Sequence, residues 1–183
     1  MNRPTTSSEP RRLRRAMADD DAFLDALYAS TRESEVRGWG FTEPQAQQFL
    51  YQQAQLQRRA YGLQFPAAQH WLLLSADQCV GRLVLDPESV AVNTENVVVP
   101  GKARRIVDIS VLGSERNQGH GTWLLTTLIE QAQQDQVKLS LRVARGNPAQ
   151  RLYARLGFGV VAEEGEASLM LWWSTGTFSV GSR

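Results

Sequence analysis

Val111-Leu112-Gly113-Ser114-Glu115-Arg116-Asn117-Gln118-Gly119-His120-Gly121 runs from the end of a β-branched apolar stretch, through a tight turn, into the start of a helix. The backbone N–H groups of a helix's first turn have no partners within the helix, and the helix dipole favours negative charge beside them. A strand feeding such a turn is therefore a natural anion site. Gly119 and Gly121 carry no Cβ, so an anion can approach the backbone closely, and Arg116 places a planar cation next to it. The spacing is R-x-x-G-x-G. It lacks the G-x-G-x-x-G order of a dinucleotide fold and the lysine of a G-x-x-x-x-G-K-[ST] loop. By itself the same spacing also suits a glycine turn that lets the helix pack closely on the strand.

Working outward, the strand that feeds the turn is Ile106 to Leu112, and the helix that leaves it spans Gln118 to Gln134. Leu124, Leu125, Leu128, Ile129 and Ala132 form that helix's apolar stripe. Upstream, Asp19 to Val36 reads as a helix with three acidic residues at its positive end. Gly38-Trp39-Gly40 interrupts it. Thr42 and Gln45 form a capping box for a second helix, which ends at Phe65-Pro66. His70–Ser75 and Cys79–Leu85 alternate as a hairpin about Ala76-Asp77-Gln78. Residues 87–103 fit either a longer hairpin or an irregular loop. Downstream come a strand at Val137–Val143, a helix opened by Asn147-Pro148 and closed at Gly157, and strands at Phe158–Ala162 and Ser168–Trp173. Arg11, Arg12, Arg14 and Arg15 read as a solvated edge strand. The order β-α-α-β-β-β-α-β-α-β-β is a mixed α/β layer design. The domain is expected to span residues 11–174, between polar tails at 1–10 and 175–183.

Composition narrows the function classes. The 183 residues are 42% hydrophobic and 21% charged, which suits one soluble domain with a sizeable core. Twenty Lys and Arg against nineteen Asp and Glu leave a net charge of +1, so no global field favours nucleic acid or an acidic membrane. The arginine-rich start alone does not make a nucleic-acid protein. One cysteine, Cys79, excludes an internal disulfide framework, and with two histidines a Cys- or His-rich metal centre is not expected. No apolar run approaches the roughly 18 residues of a membrane span, and the N-terminus lacks the apolar segment of a signal peptide. These features fit a reduced, cytoplasmic setting.

A second block, Asn147-Pro148-Ala149-Gln150-Arg151-Leu152-Tyr153-Ala154-Arg155-Leu156-Gly157-Phe158, shares its strand-to-helix logic with the first. Together and in this order the two blocks resemble the GCN5-related N-acetyltransferase (GNAT) superfamily. The first is similar to its acyl-CoA pyrophosphate loop. The second is similar to its N-x-x-A-x-x-x-Y-x-x-x-G-F region, with the alanine one place early. The resemblance extends over about residues 11–173. The front half also resembles a broad bacterial group with a tryptophan loop and an F-P-x-A junction, here Phe65-Pro66-Ala67-Ala68. Two positions depart from the pattern: Gly113 stands where a proline is common, and His120 where a small or aliphatic residue is usual. Neither blocks backbone binding, and the His120 side chain is expected at the surface.

The resemblance implies a single α/β domain with a mixed, mostly antiparallel central sheet flanked by helices on both faces. It implies acetyl-CoA as co-substrate, with no metal, in the gap where two parallel strands splay. Val111 and Leu112 would then pair with the pantetheine amides, the Val111 N–H also facing the thioester carbonyl. Arg116, Asn117, Gln118, Gly119, His120, Gly121 and Thr122 would hold the pyrophosphate, and Asn147 the pantetheine arm. Tyr153 would protonate the leaving thiolate, although as a residue it also fits a core aromatic. Asp108 is a candidate base or a salt-bridged structural carboxylate. Glu33 and Glu35 are candidates to bind a cationic acceptor, and Trp39 to close over it or to anchor its loop. Cys79 lies outside both blocks, which favours direct attack by a primary amine of a small molecule or a protein over an acyl-enzyme. A non-catalytic acyl-CoA-binding or sensory module on the same fold is the alternative. Dimerisation through the last strands and their tryptophans is a further expectation.

Overall fold

The structure, a computed structural model, describes residues 10–93 and 98–174, without the side chains of 88–100. Of the expected tails at 1–10 and 175–183, all but Pro10 lies outside the described residues. Seven strands form one sheet in the order β1-β2-β3-β4-β5-β7-β6. They are β1 (Arg11–Arg15), β2 (Gln69–Ser75), β3 (Gln78–Asn93), β4 (Val98–Val111), β5 (Lys138–Ala144), β6 (Gly159–Glu164) and β7 (Ala167–Trp172). The helices are α1 (Asp21–Arg37), α2 (Glu43–Gln64), α3 (His120–Gln134) and α4 (Ala149–Arg155). Every neighbouring strand pair is antiparallel except β4–β5. That parallel pair needs a crossover, and α3 supplies it. Among the described residues no helix is long and apolar enough to cross a membrane.

Local chemistry sets the boundaries. The β2–β3 hairpin turns on Ala76 and Asp77, both with positive φ (44° and 66°), the geometry of a two-residue type I′ turn. The Gln45 side-chain oxygen accepts both the Thr42 N–H and its hydroxyl at 2.9 Å, so the expected capping box opens α2. The acidic run before α1 is split: Ala18–Asp20 forms one 3-10 turn and the helix begins at Asp21. The open question at residues 87–103 resolves towards the hairpin, since β3 runs to Asn93 and β4 starts at Val98.

The alternation of the strands feeds two faces. Leu83, Leu85, Leu139, Leu141 and Met170 pack under the α3 stripe of Leu124, Leu125, Leu128 and Ala132, joined by Leu13 from β1 and Leu152 from α4. Each fully buried leucine contributes about 1.5–3 kcal/mol. On the opposite face Leu24 of α1 closes over Leu72 and Leu74. Helices thus cover both faces, as the resemblance implied. Trp172 is buried in this core and Trp123 is partly buried against it.

β1 is an edge strand, as expected, but its arginines are not simply solvated. Arg14 grips both oxygens of Asp20 at 2.6 and 2.7 Å, and the same carboxylate accepts the Met17 N–H at 2.7 Å. These donors, Arg14 foremost, pull the Asp20 carboxyl down to about 2. The folded chain then binds that proton more weakly than the unfolded chain, so the pair stabilises the fold above about pH 4 and loses this contribution as pH falls towards 2. Thermal melts between pH 5 and pH 2 should show a steeper loss for the native protein than for Asp20→Asn. Parallel slopes would contradict this role.

Candidate active site

β4 and β5 pair for only four residues, from Ala103 opposite Lys138 to Ile106 opposite Leu141. Past that point β4 stays with β3 as far as Val111 opposite Gly81, while β5 stays with β7 as far as Ala144 opposite Ala167. The two strands diverge, and a cleft of about 1060 Å³ opens between them. The Leu112 N–H bonds to the Val80 carbonyl at 2.9 Å, towards β3. Successive residues of an antiparallel strand aim their N–H groups to opposite sides. The Val111 N–H therefore points away from β3, into the gap that β5 has vacated. Leu112, expected to share the pantetheine contacts, does not line the cleft, and its carbonyl is taken by the Glu115 N–H at 2.9 Å.

The turn beyond β4 brings the α3 N-terminus to the same cleft. Asn117 and Gly119 both adopt left-handed φ (63° and 82°), and no side chain caps the helix. The first intrahelical bond runs from the Trp123 N–H to the Gly119 carbonyl at 2.9 Å. The N–H groups of His120, Gly121 and Thr122 are thus left for a ligand. A Cβ on Gly121 would meet Leu152 Cδ2 at 3.3 Å, a tight contact between α3 and α4 that glycine relieves. Arg116, Asn117, Gly119, His120, Gly121 and Thr122 all line the cleft; Gln118 does not. The described residues hold no group of three His, Cys, Asp or Glu placed for a metal ion.

His120 corrects an expectation. Its side chain is only 3% exposed rather than at the surface. Its Nδ1 accepts the Arg11 Nε–H at 3.1 Å, and its Nε2 lies 3.5 Å from a Glu115 carboxylate oxygen. A helix stripe that begins at Leu124 gave no sign that a strand 109 residues away would cover the helix start.

Asn147 lines the cleft and caps α4 with its side-chain oxygen, which accepts the Ala149 N–H at 2.9 Å. Tyr153 lines the cleft one helix turn on, its ring 5.9 Å from that of Phe158. Burial, with a smaller push from the Asp108 charge, raises its hydroxyl above the ordinary tyrosine range.

Asp108, half-buried, lines the cleft and pairs with the buried Arg82. Its Oδ2 accepts Arg82 Nε at 2.9 Å, Arg82 Nη2 at 2.7 Å and the Ser110 hydroxyl at 3.0 Å. Its Oδ1 carries only a longer 3.2 Å contact from the same hydroxyl. Arg82 also donates to the Gln57 side chain of α2 at 2.9 Å. Arg82 and Gln57 were missed from sequence. An arginine amid Val80-Gly81-Arg82-Leu83-Val84 was the available signal, because a charge in a buried strand needs a partner.

The expected acceptor residues are not at the cleft. Glu33 bonds Arg37 at 2.6 Å on an exposed face, and Glu35 turns back to Arg32 at 3.0 Å. Helical spacing instead brings Leu27, Tyr28, Thr31 and Arg32 to the opening. Trp39 is 51% exposed and stacks edge-on against Phe41 and Phe49 at 6.1 and 5.5 Å, so it anchors its loop away from the cleft.

Removing Arg82 would strand the Asp108 charge. Arg82→Met should cost about 3 kcal/mol in urea unfolding, and the double variant Arg82→Met/Asp108→Leu should recover most of it. Additive losses would show that the two side chains are not coupled.

The chain matches the model of the Acetyltransferase (GNAT) family over residues 24–158. No curated protein matches it. Solved structures share the fold at low identity. One is a PaiA N-acetyltransferase from Thermoplasma acidophilum in complex with coenzyme A, with 12% identity, a TM-score of 0.60, and coverage of 90% of this chain and 99% of that one. Another is a GNAT family acetyltransferase from Listeria monocytogenes, with 14% identity, a TM-score of 0.62, and coverage of 94% and 100%. A third, from Elizabethkingia anophelis with acetyl-CoA bound, has 16% identity, a TM-score of 0.55, and coverage of 90% and 98%. With the splayed strands, the uncapped α3 and a family model covering well over half of its length, this chain belongs to the GNAT acetyltransferase family.

Proposed function

We propose that this protein is a cytoplasmic N-acetyltransferase that moves the acetyl group of acetyl-CoA to a primary amine by direct attack in a ternary complex. The observation that carries the reading is the Val111 N–H turned into the β4–β5 gap, beside the uncapped α3 and within one cleft with Tyr153. The bound coenzyme A and acetyl-CoA of two structural neighbours support the same co-substrate.

The residues divide the work. The N–H groups at the start of α3 bind the diphosphate, and Asn147 borders the pantetheine arm. The Val111 N–H stabilises negative charge on the thioester oxygen as the amine nitrogen bonds to the carbonyl carbon. When the C–S bond breaks, the sulfur keeps the electron pair and takes the Tyr153 proton. The proton shed by the nitrogen leaves through Asp108 Oδ1, the less occupied carboxylate oxygen, to solvent, and Tyr153 is reprotonated from solvent. The Arg82 pair fixes the orientation of the Asp108 carboxylate, with Oδ1 turned to the incoming amine. Tyr28, Thr31 and Arg32 border the amine's entrance.

Two outcomes test this. Gly121→Leu should weaken coenzyme A binding at least about tenfold by calorimetry, since the added side chain collides with Leu152 and displaces the start of α3 that forms the cradle. With an amine that turns over, Tyr153→Phe should lower kcat about 100-fold while leaving coenzyme A affinity unchanged. In the native protein kcat/KM should rise with pH as the amine deprotonates, and fall only above pH 10, because the Tyr153 hydroxyl is held above its ordinary range. Binding with no turnover on a broad amine panel would favour the non-catalytic acyl-CoA module.

A further inference from the structure

Arg11 lies on the first strand, outside both sequence blocks that make the cleft, yet its side chain ends at the loop. Arg11 and Leu13 share one face of β1. Leu13 packs into the core beneath α3, and this carries the Arg11 guanidinium to the start of that helix. Its Nη2 donates to the Gln118 carbonyl at 2.9 Å while its Nε donates to His120 Nδ1 at 3.1 Å. The same guanidinium lies 3.9 Å from where a Gly119 Cβ would stand. It does not line the cleft.

We propose that Arg11 is a positioning residue for the diphosphate cradle, acting through the Gln118–Gly119 peptide; the inference rests on the acetyl-CoA reading above. The Gln118 carbonyl and the Gly119 N–H belong to one planar trans peptide and point in opposite directions. Holding the carbonyl on Arg11, behind the loop, turns the Gly119 N–H to the cleft side. Glycine at 119 leaves this peptide free to rotate, because Gly occupies either sign of φ without a Cβ penalty. Without Arg11 the peptide can flip and put a carbonyl oxygen where the diphosphate sits, which replaces a donor by a repulsive dipole.

His120 completes the brace. Accepting from Arg11 requires an unprotonated Nδ1, which puts the hydrogen on Nε2, towards Glu115. Glu115 lines the cleft, so its negative charge opposes an anion there. His120 Nε2 stands 3.5 Å from that carboxylate. Arg11 thus orients a donor, fixes a tautomer and adds a positive charge behind the loop, all without touching the ligand. The fork geometry is specific: a lysine retains the charge but cannot hold both partners at once.

The test is a 15N–1H NMR titration of the native protein, Arg11→Met and Arg11→Lys with three probes: coenzyme A, dephospho-coenzyme A and pantetheine. Arg11→Met should weaken coenzyme A and dephospho-coenzyme A by the same factor, at least about tenfold, the scale of one charge-assisted hydrogen bond. Pantetheine, which lacks the diphosphate, should change less than twofold. Arg11→Lys should lie between, and it keeps the test valid if the methionine variant folds poorly. Unchanged coenzyme A binding, or equal weakening of pantetheine, would overturn the inference. Loss confined to coenzyme A would also overturn it, because Arg11 would then read the 3′-phosphate. A native protein that binds none of the probes would overturn the acetyl-CoA reading itself, an outcome separate from any effect of the variants.

Discussion

The parallel ladder between β4 and β5 is four residue pairs long, and the place where it stops organises the rest of the molecule. Two strands that part within a sheet leave backbone donors and acceptors without partners in its interior. Such groups are costly to bury unless something satisfies them. Each strand solves this on its outer side, β4 with β3 and β5 with β7, so the inner sides of both face a gap. A thin, extended ligand with amide groups fits that gap, and water fits it otherwise. The cleft is thus a consequence of sheet pairing rather than of any single side chain.

What surrounds the gap follows from chain order. β4 ends at the turn that starts α3, and β5 ends at the turn that starts α4. Both helix N-termini therefore arrive at the same opening, one uncapped and one capped by Asn147. The first carries positive dipole and free N–H groups. The second carries Tyr153 one turn in. On the far face, α2 supplies Gln57 to the Arg82–Asp108 pair, which couples the helical layer to the strand that bears Val111. The two ends of the cleft are built from opposite faces of one sheet.

The parts legible in the sequence are those decided locally. The apolar period of α3, the Thr42–Gln45 box and the Asn147 cap each depend on residues a few positions apart, and the structure has all three. The loop from Arg116 to Gly121 was legible because helix starts and glycines have fixed chemical consequences. The rest depends on residues far apart in the chain. His120 is buried because Arg11 and β1 cover it, which no local period reports. Glu33 and Glu35 were drawn to the acceptor role by charge alone, but neighbouring arginines in their own helix satisfy them. Leu112 followed the strand pattern one residue too far; alternation hands the outward N–H to Val111. Arg82 stood out in its apolar strand, yet its partner Asp108 emerges only with the β3–β4 register, which sets Arg82 opposite Ser110 and diagonal to Asp108.

The most direct test of this account is a crystal structure of the protein with acetyl-CoA. The account places the pantetheine arm between Val111 and Ala144, its diphosphate on the N–H groups of Gly119 to Thr122, and the thioester oxygen about 3 Å from the Val111 nitrogen. Acetyl-CoA bound elsewhere, or β4 and β5 zipped together beyond Ile106 and Leu141 with no room between them, would contradict it.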